Sequence, residues 1–448
     1  MTLIEFFDKT PVDNIIAALA LRPRRIVFLG ADRMKISSLL PHIRKILTVR
    51  QIKTSLTMRI IDTDSLSNIL TVLEDVLSRD EEYVFDFTGG DDTALVALGM
   101  LFRLTDRKIS VFRMECATRQ GVLYKIPLSG GEFSAVPYDG VTGTNPVHLT
   151  VRENILLHQG QVREEMIGTN TAAGHPFTEK TYRELNRMWK LCQSDCGFWN
   201  SQVGKMGAAV RPLPEDRSVY TIAPNMRGLE ERFLASLVDG EFIHLESYGK
   251  NGAWKCTFSS PYVRDCLLKA GTLLEYKTCM TALYWPDGTG PSPYTDDGAG
   301  VVIDWEEAGQ KGTPVQTNRR TGQTKGSSQK QNTRKPYQPV TTRNEIDTLL
   351  MRGLTPVFIS CKNGEVDTDE LYKLGTVAGR FGNRYAKKAL VLTSFFDKED
   401  RNYAGDGTVN YMRSRAKDMH IRLIENVHKM SDAEFAKALR NVSEEEAK

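Results

Sequence analysis

Residues 1–150 alternate short apolar runs with helical patterns. The runs RRIVFLGAD, LTMRIIDTD, EYVFDFTGGD and KISVFRME are spaced along this region, with GVLYKIPL after them. Between them lie SLSNILTVLEDVLSRD and TALVALGMLFRLT, where apolar residues recur three and four positions apart. Such alternation indicates βαβ crossovers and a parallel sheet that is covered on both faces. The sequence therefore predicts an α/β doubly wound, Rossmann-like domain over residues 1–150.

The rest of the chain divides into two further parts. Residues 151–240 are predicted to be a helical connector, because LTVRENILLHQGQVREEM and TEKTYRELNRMWKLC have helical patterns. A hairpin pattern, EFIHLESYGKNGAWKCTFSS, then opens a second α/β domain over residues 241–448. In that domain the helical YVRDCLLKAGTLLEYKTCMTAL precedes the strand GVVIDW, and helices and strands alternate again towards the end.

Residues 308–343 interrupt the second domain between two predicted strands. They contain no acidic residue, several lysines and arginines, and otherwise mostly Gly, Ser, Thr, Gln and Asn. Too few apolar groups are present to offset the entropy lost on ordering. We expect a flexible basic insertion there.

Composition limits the classes of protein to which this chain can belong. The 448 residues are 40% hydrophobic and 26% charged with a net charge of +3, which fits a globular protein of two or three domains. We expect no secretory signal, because MTLIEFFDKTPVD lacks a basic leader followed by an apolar core, and no apolar run approaches the roughly 20 residues that span a bilayer. Its seven scattered cysteines are typical of reduced thiols, so we expect a cytoplasmic protein without membrane contact.

The hairpin TRNEIDTLLMRGLTPVFISCKNGEV at 342–366 brings charged residues into an apolar setting. Side chains alternate across a strand, so Glu345 and Asp347 share one face. A turn centred on Arg352 and Gly353 predicts three cross-strand pairs: Glu345 with Ser360, Asp347 with Phe358, and Arg343 with Lys362.

In this arrangement two acids and a lysine converge at one end of a sheet. Both acids lie on the same side as Ser360 and Lys362, and the opposite side, with Cys361, enters the core. Clustered carboxylates are hard-oxygen ligands for Mg²⁺ or Mn²⁺. A metal there can polarise a phosphate and acidify a water, while a lysine compensates developing charge. The alternative is a surface hairpin with ordinary exposed charges; Lys362, the upstream helix residue Glu275 and the basic insertion favour a site.

An acid followed by a strand that ends in a short motif with lysine resembles the PD-(D/E)xK nuclease arrangement. The wider pattern GTLLE…NEID…VFISCK resembles the nuclease domain of cyclic-oligoadenylate-activated CRISPR ancillary nucleases. The resemblance implies a restriction-endonuclease-like fold, Asp347 as a metal-binding and catalytic aspartate, and Lys362 as the catalytic lysine. It implies Glu275 as the helix acid of the metal site and Glu345 as a further metal-binding or catalytic residue.

The sequence departs from that family at Ser360, which stands where the motif has an acid. A hydroxyl is a weak neutral ligand, so Glu345, Glu275 or Glu365 must supply the missing charge. The carbonyl of Cys361 is a further candidate ligand.

Two loops at the carboxyl ends of predicted strands are candidates for ligand binding: LGADRMK at 29–35 and FTGGDDT at 87–93. Gly89 and Gly90 permit close backbone approach, and the helix that starts after them offers unpaired N–H groups to a phosphate. GxGxxG is absent after the first predicted strand, which disfavours a dinucleotide cofactor.

The loops are similar to those of CARF domains, which bind cyclic oligoadenylates across a homodimer. That resemblance implies the following ligand-binding residues: Ala31, Asp32, Arg33, Met34, Thr88, Gly89, Gly90 and Thr93.

The resemblance therefore implies a homodimeric, metal-dependent endonuclease of type III CRISPR antiviral defence, activated by cyclic tetra-adenylate and cleaving DNA and/or RNA. We expect low sequence specificity, because the insertion would contact phosphates through Arg319, Arg320, Lys325, Arg334 and Lys335. The alternative is a non-enzymatic, ligand-responsive DNA-binding regulator, in which the helices near 177–240 and the following hairpin form a winged helix. It would bind DNA without metal and without need of Lys362.

Overall fold

The computed structural model describes residues 1–90, 92–102, 108–126, 134–164, 167–168, 178–214, 216, 218–222, 228–248, 253–284, 292–305, 343–364, 366–393 and 406–444. The predicted insertion at 308–343 lies outside these residues except for Arg343, and so do Glu365 and the five basic residues predicted to contact phosphates. No helix within the described ranges is long and apolar enough to cross a membrane.

The N-terminal part is a seven-stranded sheet with four helices. Its strands are β1 (Thr2–Phe6), β2 (Arg25–Gly30), β3 (Ser55–Ile60), β4 (Tyr83–Asp86), β5 (Ile109–Met114), β6 (Gln120–Lys125) and β7 (Ser134–Asp139). Its helices are α1 (Ile16–Leu21), α2 (Arg33–Val49), α3 (Leu66–Val76) and α4 (Asp92–Leu101). The order is β3-β2-β1-β4-β5-β6-β7, with parallel pairing from β3 to β5. The predicted doubly wound α/β fold is confirmed.

The central strand β1 was not predicted from the sequence. All five of its residues are buried, although Thr2 and Glu5 are polar. A short run that contains a glutamate at the very start of a chain gives little periodic signal. The topological switch point nevertheless lies at β1, because the chain runs outward from it in both directions.

The segment predicted as a helical connector contains four helices and also strands. Its elements are α5 (Val151–Leu157), β8 (Gln161–Glu164), β9 (Ile167–Gly168), α6 (Glu179–Ser194), α7 (Cys196–Ala209), β10 (Val210–Pro212), β11 (Tyr220–Ile222) and α8 (Glu231–Asp239). The predicted hairpin follows as β12 (Ile243–Tyr248) and β13 (Ala253–Phe258), and it completes a four-stranded sheet of order β10-β11-β13-β12. Strands β10 and β11 are only three residues long, too short for a period-two pattern to reveal them.

The C-terminal part is built on a third, mixed sheet. Its elements are α9 (Pro261–Leu268), α10 (Thr272–Tyr284), β14 (Asp296–Asp304), β15 (Arg343–Arg352), β16 (Thr355–Lys362), α11 (Thr368–Gly382), β17 (Lys387–Leu392), α12 (Asp406–Asp418), β18 (Arg422–Ile424) and α13 (Asp432–Glu444). The order is β18-β17-β16-β15-β14-β8, and β9 also pairs with β14. The helices α10 and α13 pack on these strands, as does α11.

The short helix α5 joins the N-terminal part to the third sheet. It packs against α2 on one side and against β14, β15 and α11 on the other. Its start has a capping box between Thr150 and Glu153, and Glu153 also accepts two hydrogen bonds from Arg50 at 2.7 and 2.6 Å. One hydrophobic cluster runs from α1 and α2 through α5 to α11, so the two parts share a core.

Candidate functional site

The hairpin β15–β16 turns one residue later than predicted. Arg352 pairs with Thr355 and Thr348 pairs with Ile359, and this register places Asp347 opposite Ser360. The predicted pairing of Asp347 with Phe358 is therefore wrong, and so are the other two predicted pairs. The reason is the turn: Gly353 has φ of 64° and begins the reversal rather than ending it. The faces are unchanged, because moving the turn by one residue changes the partner of each residue by two positions, which is one full period of a strand.

The Asp347 carboxylate is the centre of the candidate site. Its Oδ2 accepts hydrogen bonds from Ser360 Oγ at 3.0 Å and from the Cys361 amide at 2.7 Å, and Lys362 Nζ lies 3.4 Å away. Ser360, the residue that replaces the motif acid, thus serves as a donor that fixes the aspartate. The thiol of Cys361 points to the other side, where it contacts Thr278 in the core. Only the backbone of Cys361 faces this cluster.

Lys362 has a second carboxylate partner that the sequence reasoning missed. Its Nζ lies 3.2 Å from Oε2 of Glu370, which belongs to the first turn of α11. Burial acts to lower the pKa of the Lys362 ammonium, but Asp347 and Glu370 outweigh it and raise that pKa above its ordinary value. The sequence signal for Glu370 was an acidic residue in the first turn of α11, the helix that follows β16. Asp367 and Asp369 lie just before Glu370, and the spacing does not distinguish the three acids.

Glu275 lies on α10 beneath the hairpin and is 4% exposed. Burial, together with the charge of the neighbouring Asp347, raises the pKa of its carboxyl to about 7. Its Oε2 is buried and has no hydrogen-bond partner among the described residues. A buried carboxylate oxygen without a donor costs free energy unless a cation or a proton satisfies it.

Glu345 lies at the rim of the cluster. Its Oε1 accepts a hydrogen bond from Lys269 at 2.8 Å, and both side chains are about half exposed. A cavity of about 90 Å³ opens between β15, β16 and α11, and its lining includes Glu345, Asp347, Lys362 and Glu370. The structure therefore brings Asp347 and Lys362 together, with Glu345 lining the same cavity, while Glu275 does not line that cavity but lies near enough for its charge to interact with that of Asp347.

The described part of the chain contains no ready-made group of three or more His, Cys, Asp or Glu side chains that could hold a metal ion. The donor chemistry nevertheless fits a hard divalent cation. Glu275 has an unsatisfied buried oxygen, and Asp347 is close enough to raise the pKa of Glu275. Mg²⁺ commonly takes only one or two carboxylates from a protein, since water and substrate phosphate complete its shell.

The glycine-containing loop after β4 is fixed by hydrogen bonds to the end of that strand and by close contacts at its two glycines. Asp86 Oδ1 accepts hydrogen bonds from the amide and hydroxyl of Thr88 at 2.9 and 2.6 Å. Gly90 has φ of 120°, and a Cβ there would lie 2.8 Å from the Cβ of Phe6. A Cβ on Gly89 would lie 2.8 Å from that of Asp8. Both glycines are therefore required by close backbone approach.

The loop after β2 presents exposed side chains at the same edge of the sheet. Asp32 caps α2 by accepting a hydrogen bond from the Lys35 amide at 3.0 Å, and this bond lowers the pKa of Asp32. Ala31 and Arg33 are exposed, and Met34 is 78% exposed. Thr93 lies in the first turn of α4. The predicted ligand residues therefore occupy the carboxyl ends of β2 and β4, on either side of β1.

A buried acid pair beneath the second loop was also missed. Glu5 on β1 pairs in register with Asp86 on β4, and both side chains are fully buried. Burial raises the pKa of Asp86 to about 7 and, with the charge of Asp86, raises that of Glu5 well above its ordinary range. The runs LIEF and VFDF show an acid inside an apolar run, but they do not show that the two acids are adjacent.

These features define an α/β protein of a particular architecture: a doubly wound sheet with open loops, then a mixed sheet that carries an acid and lysine cluster. No protein-family model matches the chain, and no curated protein matches it in sequence. Its structure is similar to that of protein VC1899 from Vibrio cholerae, with a TM-score of 0.63, 16% identity, and coverage of 99% of this chain and 97% of that one.

The structure is also similar to that of Can2 from Sulfobacillus thermosulfidooxidans, which was solved in complex with cyclic tetra-adenylate. The TM-score is 0.58 with 12% identity, and the match covers 99% of this chain and 97% of Can2. Both matches extend over the whole architecture. The resemblance that the sequence indicated is therefore confirmed at the level of the fold.

Proposed function

We propose that this chain is a metal-dependent endonuclease that cleaves DNA and/or RNA and is activated by cyclic tetra-adenylate in type III CRISPR antiviral defence. The observation that carries the proposal is the Lys362 ammonium 3.4 Å from the Asp347 carboxylate, with the buried Glu275 nearby, whose Oε2 has no hydrogen-bond partner among the described residues. The likeness in fold to Can2, whose structure contains cyclic tetra-adenylate, supports the choice of activator.

Glu275 and Asp347 would hold the cation, with Glu345 and the Cys361 carbonyl as further ligands. When bound, Mn²⁺ or Mg²⁺ supplies Lewis-acid activation of the scissile phosphate and its attacking water. Ser360 and the Cys361 amide keep Asp347 in one orientation. Lys362 would position the water or compensate negative charge that develops on the phosphate. Backbone phosphates, rather than bases, would be contacted by the basic insertion, so cleavage would have low sequence specificity and strong salt dependence.

The activator would bind across two protomers of a cytoplasmic homodimer at the loops 31–34 and 88–93. A symmetric ligand that bridges two copies favours one dimer geometry over others, which is a population shift. Val96 and Met100 are both about half exposed on α4, the helix that starts at the second loop. Exposed apolar side chains beside the ligand loops suit an interface with a second copy.

The test is cleavage of plasmid and of single-stranded DNA and RNA in Mn²⁺, with and without cyclic tetra-adenylate. We expect cutting that requires both the metal and the activator. Asp347→Ala and Lys362→Ala should each reduce the cleavage rate by about a hundredfold or more while leaving activator binding unchanged. Asp369→Asn, which removes an exposed charge from the nearby start of α11, is the matched control.

Cleavage that persists in both site variants would remove the site assignment. Activity that ignores cyclic tetra-adenylate would remove the switch. Tight sequence-specific DNA binding that is indifferent to chelation and to Lys362→Ala would favour the alternative of a non-enzymatic regulator.

A further inference from the structure

One helix connects the N-terminal part to the candidate nuclease site. The helix α11 has 15 residues, which corresponds to a rod of about 22 Å at the helical rise. Glu370 in its first turn contacts Lys362 at 3.2 Å. Arg384 and Tyr385, which follow its last turn, contact Asp13 in the N-terminal part.

The contact at Asp13 is buried and specific. Arg384 donates to Oδ2 of Asp13 at 2.6 Å, and the Tyr385 hydroxyl donates to Oδ1 at 3.0 Å. The Asp13 side chain is fully buried. A charge in that position requires its partners, since removal of either leaves a desolvated group.

Asp13 is itself tied to the predicted ligand loop. The neighbouring Asn14 accepts a hydrogen bond from the Asp8 amide at 2.7 Å and donates to the Asp8 carbonyl at 2.9 Å. Asp8 packs directly beneath Gly89, and its Oδ2 lies 3.5 Å from the amide nitrogen of Gly90. A shift of this loop therefore reaches Asp13 through a short, hydrogen-bonded segment.

We propose that Asp13 and Glu370 are positioning residues that act through α11, so that the ligand loop sets the placement of the Lys362 ammonium. This inference rests on the proposed function and names the route of its regulation. Packed helices move as units, and a shift of about 1 Å at a reacting group can cost about a hundredfold in rate.

The experiment measures activator affinity and single-turnover cleavage separately in full-length variants. Glu370→Gln should lower the activated cleavage rate by about tenfold or more without changing activator affinity, and Glu370→Asp should restore part of the rate. Asp369→Asn, whose side chain has no hydrogen bond or ion pair with any residue that the structure describes, should behave as wild type.

Asp13→Asn should leave activator affinity and basal cleavage unchanged but reduce the ratio of activated to basal cleavage by about tenfold. Tyr385→Phe, which removes one hydroxyl, should reduce that ratio less and guards against misfolding of the Asn variant. The double variant Asp13→Asn/Glu370→Gln should be no worse than the more damaging single variant. Additive losses, or an unchanged activation ratio in Asp13→Asn, would overturn the proposal.

Amide hydrogen exchange separates this inference from the proposed function. If wild type neither cuts nor responds to the activator, the proposed function fails on its own. The route through α11 still predicts faster exchange at residues 368–374 in Asp13→Asn than in Asp369→Asn. Equal exchange in those two variants would contradict the coupling.

Discussion

At the scale of single residues, the candidate site is organised by what each carboxylate can find as a partner. Asp347 has three donors on one oxygen, whereas Glu275 has a buried oxygen with none. The first arrangement fixes the orientation of the Asp347 carboxylate. The second arrangement leaves the buried Glu275 carboxylate with an unfavourable desolvation free energy, which a bound cation would offset.

Glu275→Gln should stabilise the metal-free protein and abolish cleavage. The substitution removes a carboxyl whose pKa burial raises to about 7, so the expected gain near pH 8 is about 1–3 kcal/mol in the free energy of unfolding. Thermal unfolding with and without Mn²⁺ checks it. Mn²⁺ should raise the melting temperature of wild type and leave that of the variant unchanged; equal shifts in both would show that Glu275 is not a ligand.

Asp86→Asn should flatten the dependence of stability on pH. Folding raises the pKa of Asp86 to about 7, so the folded state keeps a proton that the unfolded chain has lost, and stability falls as pH rises from about 4 to 7. At pH 8 the variant should be more stable than wild type by roughly 1–3 kcal/mol, with little difference at pH 4.

Urea titrations at both pH values measure this difference. Glu5 and Asp13 also have raised pKa values, so part of the slope will remain in the variant. A variant that loses stability equally at both pH values would contradict the explanation.

At the scale of elements, close packing limits which residues the loop after β4 can accommodate. Gly90 combines φ of 120° with direct contact between its missing side chain and Phe6, so both sterics and backbone conformation exclude a larger residue. The turn at Gly353 is less restrictive, because a Cβ there would lie 2.4 Å from Nε of Arg119, part of a flexible side chain.

Gly90→Ala should weaken cyclic tetra-adenylate binding by about tenfold and cost about 1–3 kcal/mol of stability, because the loop must move away from Phe6. Isothermal titration and thermal unfolding measure the two effects. Gly99→Ala is the control, since a Cβ at that helical position meets nothing within 4 Å. Unchanged affinity in Gly90→Ala would exclude this loop from the binding site.

At the scale of the whole molecule, the N-terminal part and the third sheet are not independent. The helix α5 is packed between them, and the cluster that contains Ile43, Ile155 and Phe381 continues from one to the other. A shared apolar core makes relative motion costly unless the parts move as packed units.

A fragment of residues 1–150 should therefore be poorly soluble or unstable alone, because it exposes the face of α2 that α5 covers. The full chain should unfold in one cooperative transition that includes both parts. Calorimetry of the full chain and of the fragment tests this. A well-folded fragment with its own transition at the same temperature would contradict it.

How much was predictable differs from one feature to another. The strands β2 to β5 and their helices follow from hydrophobic periodicity, because buried parallel strands are continuous apolar runs. The sharing of one face by Glu345 and Asp347 follows from the period of two. Strand β1 carries a buried glutamate and gave no such signal.

The sequence alone determined which residues alternate between faces, where helices follow strands, and that acids and a lysine end up on one side of a hairpin. These are local properties, because they depend on backbone geometry within a few residues. The tertiary structure decided the register of the hairpin, the pairing of Glu5 with Asp86, and the contacts of Lys362 with Glu370 and of Arg384 with Asp13. Those depend on how separate elements pack, and packing is a property of the whole chain that no local pattern encodes.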